Sequence, residues 1–166
     1  MKKILLILLI SLSILTGCEN KEEDEKSEYL AMKSSLLENE EYTGSEKIIC
    51  DIVVDVERLD EEKIEYNVSL SNPKENMKDI KAIVVHNYYT EEVFPTIGLF
   101  DKTTDLYVNS EEDNDDNNDE IENNINLSGT IKTTADIDKL DLELKVLVEY
   151  VDESGEKKDI YYKTTK

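Results

Sequence analysis

From residue 46 onward the chain alternates apolar and polar residues, a period that suits a β-strand with one buried face and no helix. The clearest run is "LDLELKVLVEYV", in which Leu140, Leu142, Leu144, Val146, Val148 and Tyr150 fall on one side. "KIICDIVVDVERL" places Cys50, Ile52, Val54 and Val56 on one face, and "KIEYNVSLSNP" does the same with Ile64, Tyr66, Val68 and Leu70. The short polar connection Asp60-Glu61-Glu62 between them makes the pair a hairpin signal. "NPKEN", residues 72 to 76, supplies turn chemistry through Pro73 and its flanking asparagines. "MKDIKAIVVHN" carries Ile80, Ala82 and Val84 on one side and Ile83 and Val85 on the other, as expected of a strand that is central or covered by its neighbours. "NINLSGTIK" and "DIYYK" add two more strands, with a turn around Gly155 before the last, and "DLYVN" a short further one. About seven strands separated by turns, with hardly any helical period, predict an all-β fold. An immunoglobulin-like or fibronectin-like antiparallel β-sandwich buries those faces, and a small closed barrel is the alternative.

The N-terminus has a different character. "MKK" is a positive start, "ILLILLISLSILT" is an apolar run of thirteen residues, and the small Gly17 precedes Cys18, which is the order of a signal peptide. Such a run is too short for a spanning helix, which needs about 18 to 20 apolar residues. The ending Leu15-Thr16-Gly17-Cys18 resembles the lipobox of bacterial lipoproteins. The resemblance implies that the Cys18 thiol carries a diacylglyceryl group, that cleavage falls before Cys18, and that the mature chain is lipid-anchored at the outer face of the cytoplasmic membrane. Two acyl chains suit that use, because one alone gives only marginal binding and each buried CH₂ adds about 0.8 kcal/mol. With that sulfur consumed, Cys50 is the remaining thiol and no disulfide framework is expected.

The expected organisation is a lipoprotein signal peptide at 1–17, the lipidated cysteine with an acidic tether and lead-in at 18–44, and a β-sandwich domain at 45–166. "ENKEEDEKSE", residues 19 to 28, has six acidic residues and no apolar side chain, and reads as an extended stalk. "YLAMKSSLLENEEYTG" after it reads as a short helical or irregular lead-in. Loss of Lys2 and Lys3 with the signal peptide takes the formal charge from -21 to -23. A surface so acidic repels nucleic acid and anionic lipid headgroups while attracting cations and basic partners. The lipobox, the acidic stalk and the strand series, above all "DEEKIEYNVSLSNPKENMKDIKAIVVHN", together resemble uncharacterised surface lipoproteins of low-GC Gram-positive bacteria that carry one immunoglobulin-like domain. The resemblance implies fold and location and brings no activity with it.

Chemistry-bearing residues are few. The mature chain holds one histidine (His86), one arginine (Arg58) and one unmodified cysteine (Cys50), which precludes a cysteine/histidine zinc cluster. Neither a glycine-rich phosphate loop nor a G-x-S-x-G elbow occurs. Cys50 alternates in phase with Ile52 and Val54, as a buried small hydrophobe would. No catalytic residue and no bound cofactor beyond the lipid on Cys18 is expected, so the chain reads as a non-enzyme. Two segments remain as candidate sites. The acidic loop "NSEEDNDDNNDEIENN", residues 109 to 124, offers Asp113, Asp115, Asn117 and Asp119 as oxygen ligands for weakly held Ca²⁺, although an EF-hand-like reading lacks the glycine (Asn118 stands there) and the final glutamate (Asn124). "NYYTEEVFPTIGLFD", residues 87 to 101, carries Tyr88, Tyr89, Phe94 and Phe100, which form either a partner-binding aromatic patch or a plug for one end of the sandwich. The expected function is a membrane-anchored, non-catalytic binding or structural module facing a cell-envelope or surface protein. A Ca²⁺-responsive surface protein is the alternative.

Overall fold

The computed structural model describes residues 21–88, 98–108 and 123–166. Its strands are β1 (Asp51–Arg58), β2 (Lys63–Ser71), β3 (Met77–His86), β4 (Gly98–Leu106), β5 (Asn124–Lys132), β6 (Glu143–Val151) and β7 (Lys157–Thr165). They form two separate antiparallel sheets, β1-β2-β5 and β4-β3-β6-β7, which makes a three-on-four sandwich and not a closed barrel. The chain changes sheets after β2, after β4 and after β5, the Greek-key style of wiring that immunoglobulin-like and fibronectin-type sandwiches share. The expected hairpin is β1–β2, in register from Asp51 opposite Ser71 to Arg58 opposite Ile64.

The alternating residues do what their period dictates. Ile64, Tyr66, Val68 and Leu70 of β2 and Ile125, Leu127 and Ile131 of β5 face Ile80, Ala82 and Val84 of β3 and Leu144, Val146, Val148 and Tyr150 of β6 across the core. Near its start β3 slips register against both neighbours, and Asp79 adopts a φ of 50°, in the left-handed region that aspartate tolerates better than most residues. The slip lets Met77 and Ile80, three apart, both turn inward. Asp79 is held there by its N–H, which donates to Asp105 Oδ1 at 2.9 Å.

Two expectations need correction. The fourth strand is not "DLYVN" but Gly98–Leu106, overlapping that stretch at Asp105 and Leu106 alone. The polar centre of this strand, Asp101 to Thr104, hides it from a search for alternation. Nor are residues 21–28 an extended stalk, and the lead-in after them takes the helical of its two expected forms as far as Glu38. Lys21–Glu38 is a single helix, α1, of 18 residues. Tyr29, Met32 and Leu36, spaced three and four apart along one face, are buried against Ile83 and Leu147 on the outer side of the four-stranded sheet, with Val85 and Tyr161 packed around them. Glu28 pairs with Lys81, and Ser35 Oγ lies 2.8 Å from the Tyr161 hydroxyl. Beyond the helix, Thr43 bonds β7: its N–H donates to the Tyr161 carbonyl at 2.9 Å, and the Tyr161 N–H donates to Thr43 Oγ1 at 3.0 Å.

Gly129 lies directly opposite Tyr66 in the β2–β5 register, and a Cβ built there would run into the Tyr66 hydroxyl and ring. The ring cannot swing away, being 1% exposed and edge-on to His86, with ring centroids 5.6 Å apart. Gly129→Val is expected to lower unfolding free energy by about 1–3 kcal/mol, the usual cost of overpacking, as read by urea denaturation. A second expectation concerns the helix. Leu36 is fully buried in a five-residue cluster, and a helix of this length is marginal in water without its docked face. Leu36→Asp should abolish most of the helical circular-dichroism signal and leave the β signal and its cooperative melt in place.

Candidate functional site

Most of the residues singled out from sequence, namely Cys18, Tyr89, Phe94, Asp113, Asp115, Asn117 and Asp119, lie outside the described residues. Tyr88 is half-buried and packs against the main core, and Phe100 belongs to β4. The ends of the acidic loop are clamped together. The Tyr107 N–H donates to Asn123 Oδ1 at 3.0 Å, Asn123 Nδ2 donates to the Tyr107 carbonyl at 2.7 Å, and the Val108 N–H donates to Asn76 Oδ1 at 2.9 Å. Among the described residues no group of three or more His, Cys, Asp and Glu side chains is arranged to hold a metal ion.

Cys50 is buried, as its phase predicts. Burial pushes its thiol up from about 9 to about 11, Asp51 adds to the rise, and Lys74 opposes it. Tyr150, at the same end of the sandwich, is pushed up to about 12 by burial and then by the charge of Glu75.

A charged depression of about 320 Å³ lies beside the β3 irregularity, lined by Asp79, Lys81, Thr103, Glu149, Lys157 and Asp159 among others. Glu149 stands between Lys81 of β3 and Asp159 of β7 in the cross-strand register. Its carboxyl is pushed up, first by burial and then by Asp159, against the pull of Lys81. Both signs of charge are interleaved here and Lys81 is already paired with Glu28, so the depression presents no uniform field to a ligand.

The edge of β1 is different. β1 pairs with β2 on one side, and no described strand pairs with the other. Its inward row, Ile52, Val54 and Val56, is only half-buried, whereas the corresponding row of the other edge strand, Ile125, Leu127 and Ile131 of β5, is buried. Val53, on the outward row, is 57% exposed. Near the start of β1 this seam opens into a depression of about 270 Å³ reaching Ile48, Cys50, Ile52 and Tyr162. The outward row also carries Asp51, Asp55 and Glu57. Asp51 accepts a hydrogen bond from Asn72 Nδ2 at 2.9 Å. Glu57 lies directly opposite Glu65 of β2, a like-charge cross-strand pair, which is unfavourable. Two cations near the ends of the strand are otherwise engaged: Arg58 donates to the carbonyls of Thr133 and Ala135, and Lys74 donates to the carbonyl of Ile48. The β1 residues are legible in the sequence as a strand but its edge position is not, because pairing order is not written in the period of one strand.

Comparison with known protein families, curated proteins and solved structures finds no match to this chain.

The Cys50 thiol sets a pH dependence. Its folded-state value lies above the usual one, so the stabilisation is fully present below about pH 9 and is lost as pH rises toward 11. Two pKa units correspond to about 2–3 kcal/mol. Unfolding free energy should fall over that window, Cys50→Ala should flatten the fall, and Tyr150 should prolong it upward in both proteins. At neutral pH the native thiol should resist a disulfide reagent until denaturant is added, as counted by released chromophore.

Proposed function

We propose that this protein is a lipid-anchored, extracytoplasmic binding module without catalytic activity, held at the outer face of the cytoplasmic membrane. The recognition role is carried by the outer edge of β1, where a strand edge with no partner among the described residues, a half-buried apolar row and an acidic row lie together. The anchor rests on the lipobox-like Leu15-Thr16-Gly17-Cys18 after its apolar run. Helix α1 starts at Lys21, three positions beyond Cys18, and is docked from Tyr29 onward. The tether is therefore much shorter than an extended 18–44 segment would make it. At about 1.5 Å per residue the helix itself spans about 27 Å, and the sandwich stays close to the bilayer. Such a position suits a module that meets partners in or next to the membrane.

In cells fed a labelled fatty acid, the wild-type chain should take up label and sediment with membranes. Cys18→Ala should do neither and should keep its signal peptide uncleaved at that point. Label retained by Cys18→Ala would reject the anchor.

A further inference from the structure

We propose that the β1 edge takes an extended, basic polypeptide segment as an added strand, one that alternates lysine or arginine with apolar residues. The inference rests on the recognition role given above and names the chemistry of the partner.

Three properties of the edge specify that partner. The first is the backbone: the outer edge of Asp51–Arg58 has no described strand beside it, and a row of free N–H and C=O groups is a template for strand addition. The second is the inward row. Ile52, Val54 and Val56 are half-buried, so alternate residues of an added strand would continue the sandwich interior past them and over Tyr162. Those alternate residues should be apolar. The third is the outward row. Asp55 and Glu57 are exposed, Glu57 faces Glu65 across the register, and none of the three has an ion-pair partner among the described residues. A cationic side chain from an added strand would lie next to Glu57 and relieve its repulsion with Glu65.

The same charges argue against a second copy of this chain as the occupant. Two β1 strands paired antiparallel about Val54 would place the acidic rows of both copies in one outward layer, on domains that each carry a large negative charge. Like-charge rows of this kind are how edge strands avoid self-pairing. The edge is thus closed to itself and open to a basic strand.

The test uses the full-length lipoprotein in neutral detergent and a capped peptide of eight residues, alternating lysine and valine, matched to the 8 residues of β1. Fluorescence anisotropy should show saturable binding, and hydrogen exchange should slow at amides of Asp51–Arg58. An otherwise identical peptide N-methylated at alternate residues keeps every charge but cannot pair, and should bind at least about tenfold more weakly. Glu57→Lys should weaken binding by at least about tenfold while raising the melting temperature, because it removes the Glu57–Glu65 repulsion and keeps the fold. Glu40→Gln/Glu41→Gln/Glu153→Gln, which removes three exposed charges elsewhere, should leave binding nearly unchanged. Equal binding of the N-methylated peptide, equal loss in the remote triple variant, protection on β5 in place of β1, or dimerisation of the protein through β1 would each overturn the proposal, as would no binding at about 1 mM peptide. None of these outcomes depends on whether Cys18 carries lipid, so failure here and failure of the anchor are read separately.

Discussion

β3 and β6 are apolar on both faces, and most of the molecule follows from that. Ile80, Ala82, Val84, Val146 and Val148 point into the sandwich, while Ile83 and Leu147, side by side in the register, point away from it. A two-layer sandwich would leave that second pair in water, where burying a side chain of this size is worth about 1.5–3 kcal/mol. Helix α1 removes the difficulty by laying Tyr29, Met32 and Leu36 over the pair. The acidic N-terminal segment is consequently a third layer of the domain and not an appendage to it.

The edges are treated unequally. β5 buries its inward row to the rim, and the outer edge of β7 is met by Thr43 as the chain comes off the helix. Among the described residues β1 has no strand and no such backbone contact along its outer side, although the short turn Ile137–Lys139 lies beside it and Arg58 is bonded to the carbonyls of Thr133 and Ala135. Its protection is electrostatic, a row of carboxylates that discourages another copy of the same edge. Protection by charge is selective where a proline or a covering helix is not, since it repels one sign and attracts the other.

Most strands are legible from their apolar pattern: six of them, all but β4, and the β1–β2 hairpin stand where that pattern puts them, and Cys50 is buried in the phase it shares with Ile52. β4 was not legible, because Asp101-Lys102-Thr103-Thr104 interrupts any apolar row. The helix was obscured for another reason. Its docking residues Tyr29, Met32 and Leu36 are interleaved with Leu30 and Leu37, which face solvent, so the apolar positions together show no single stripe. The usable signal lay elsewhere, in the second apolar face of β3, which demanded a cover that the sequence does not locate. The open edge was beyond reach for a similar reason, since it depends on which strands end up adjacent. The aromatic and acidic candidates are read from composition, and most of their residues lie outside the described ones.

The docking of α1 also fixes an order of events. The helix precedes every described strand in the chain, yet Ile83 and Leu147, the residues it covers, lie more than 45 and more than 110 positions downstream of Leu36. Contacts of such long sequence separation form slowly, because the intervening chain must close before they are rewarded. Until β6 has paired with β3 there is no apolar floor for the helix, and an 18-residue segment with four consecutive acidic residues from Glu22 to Glu25 has little reason to stay helical in water. A segment that precedes every described strand in the chain is therefore among the last to reach its native place. Its arrival reports that the four-stranded sheet beneath it is complete.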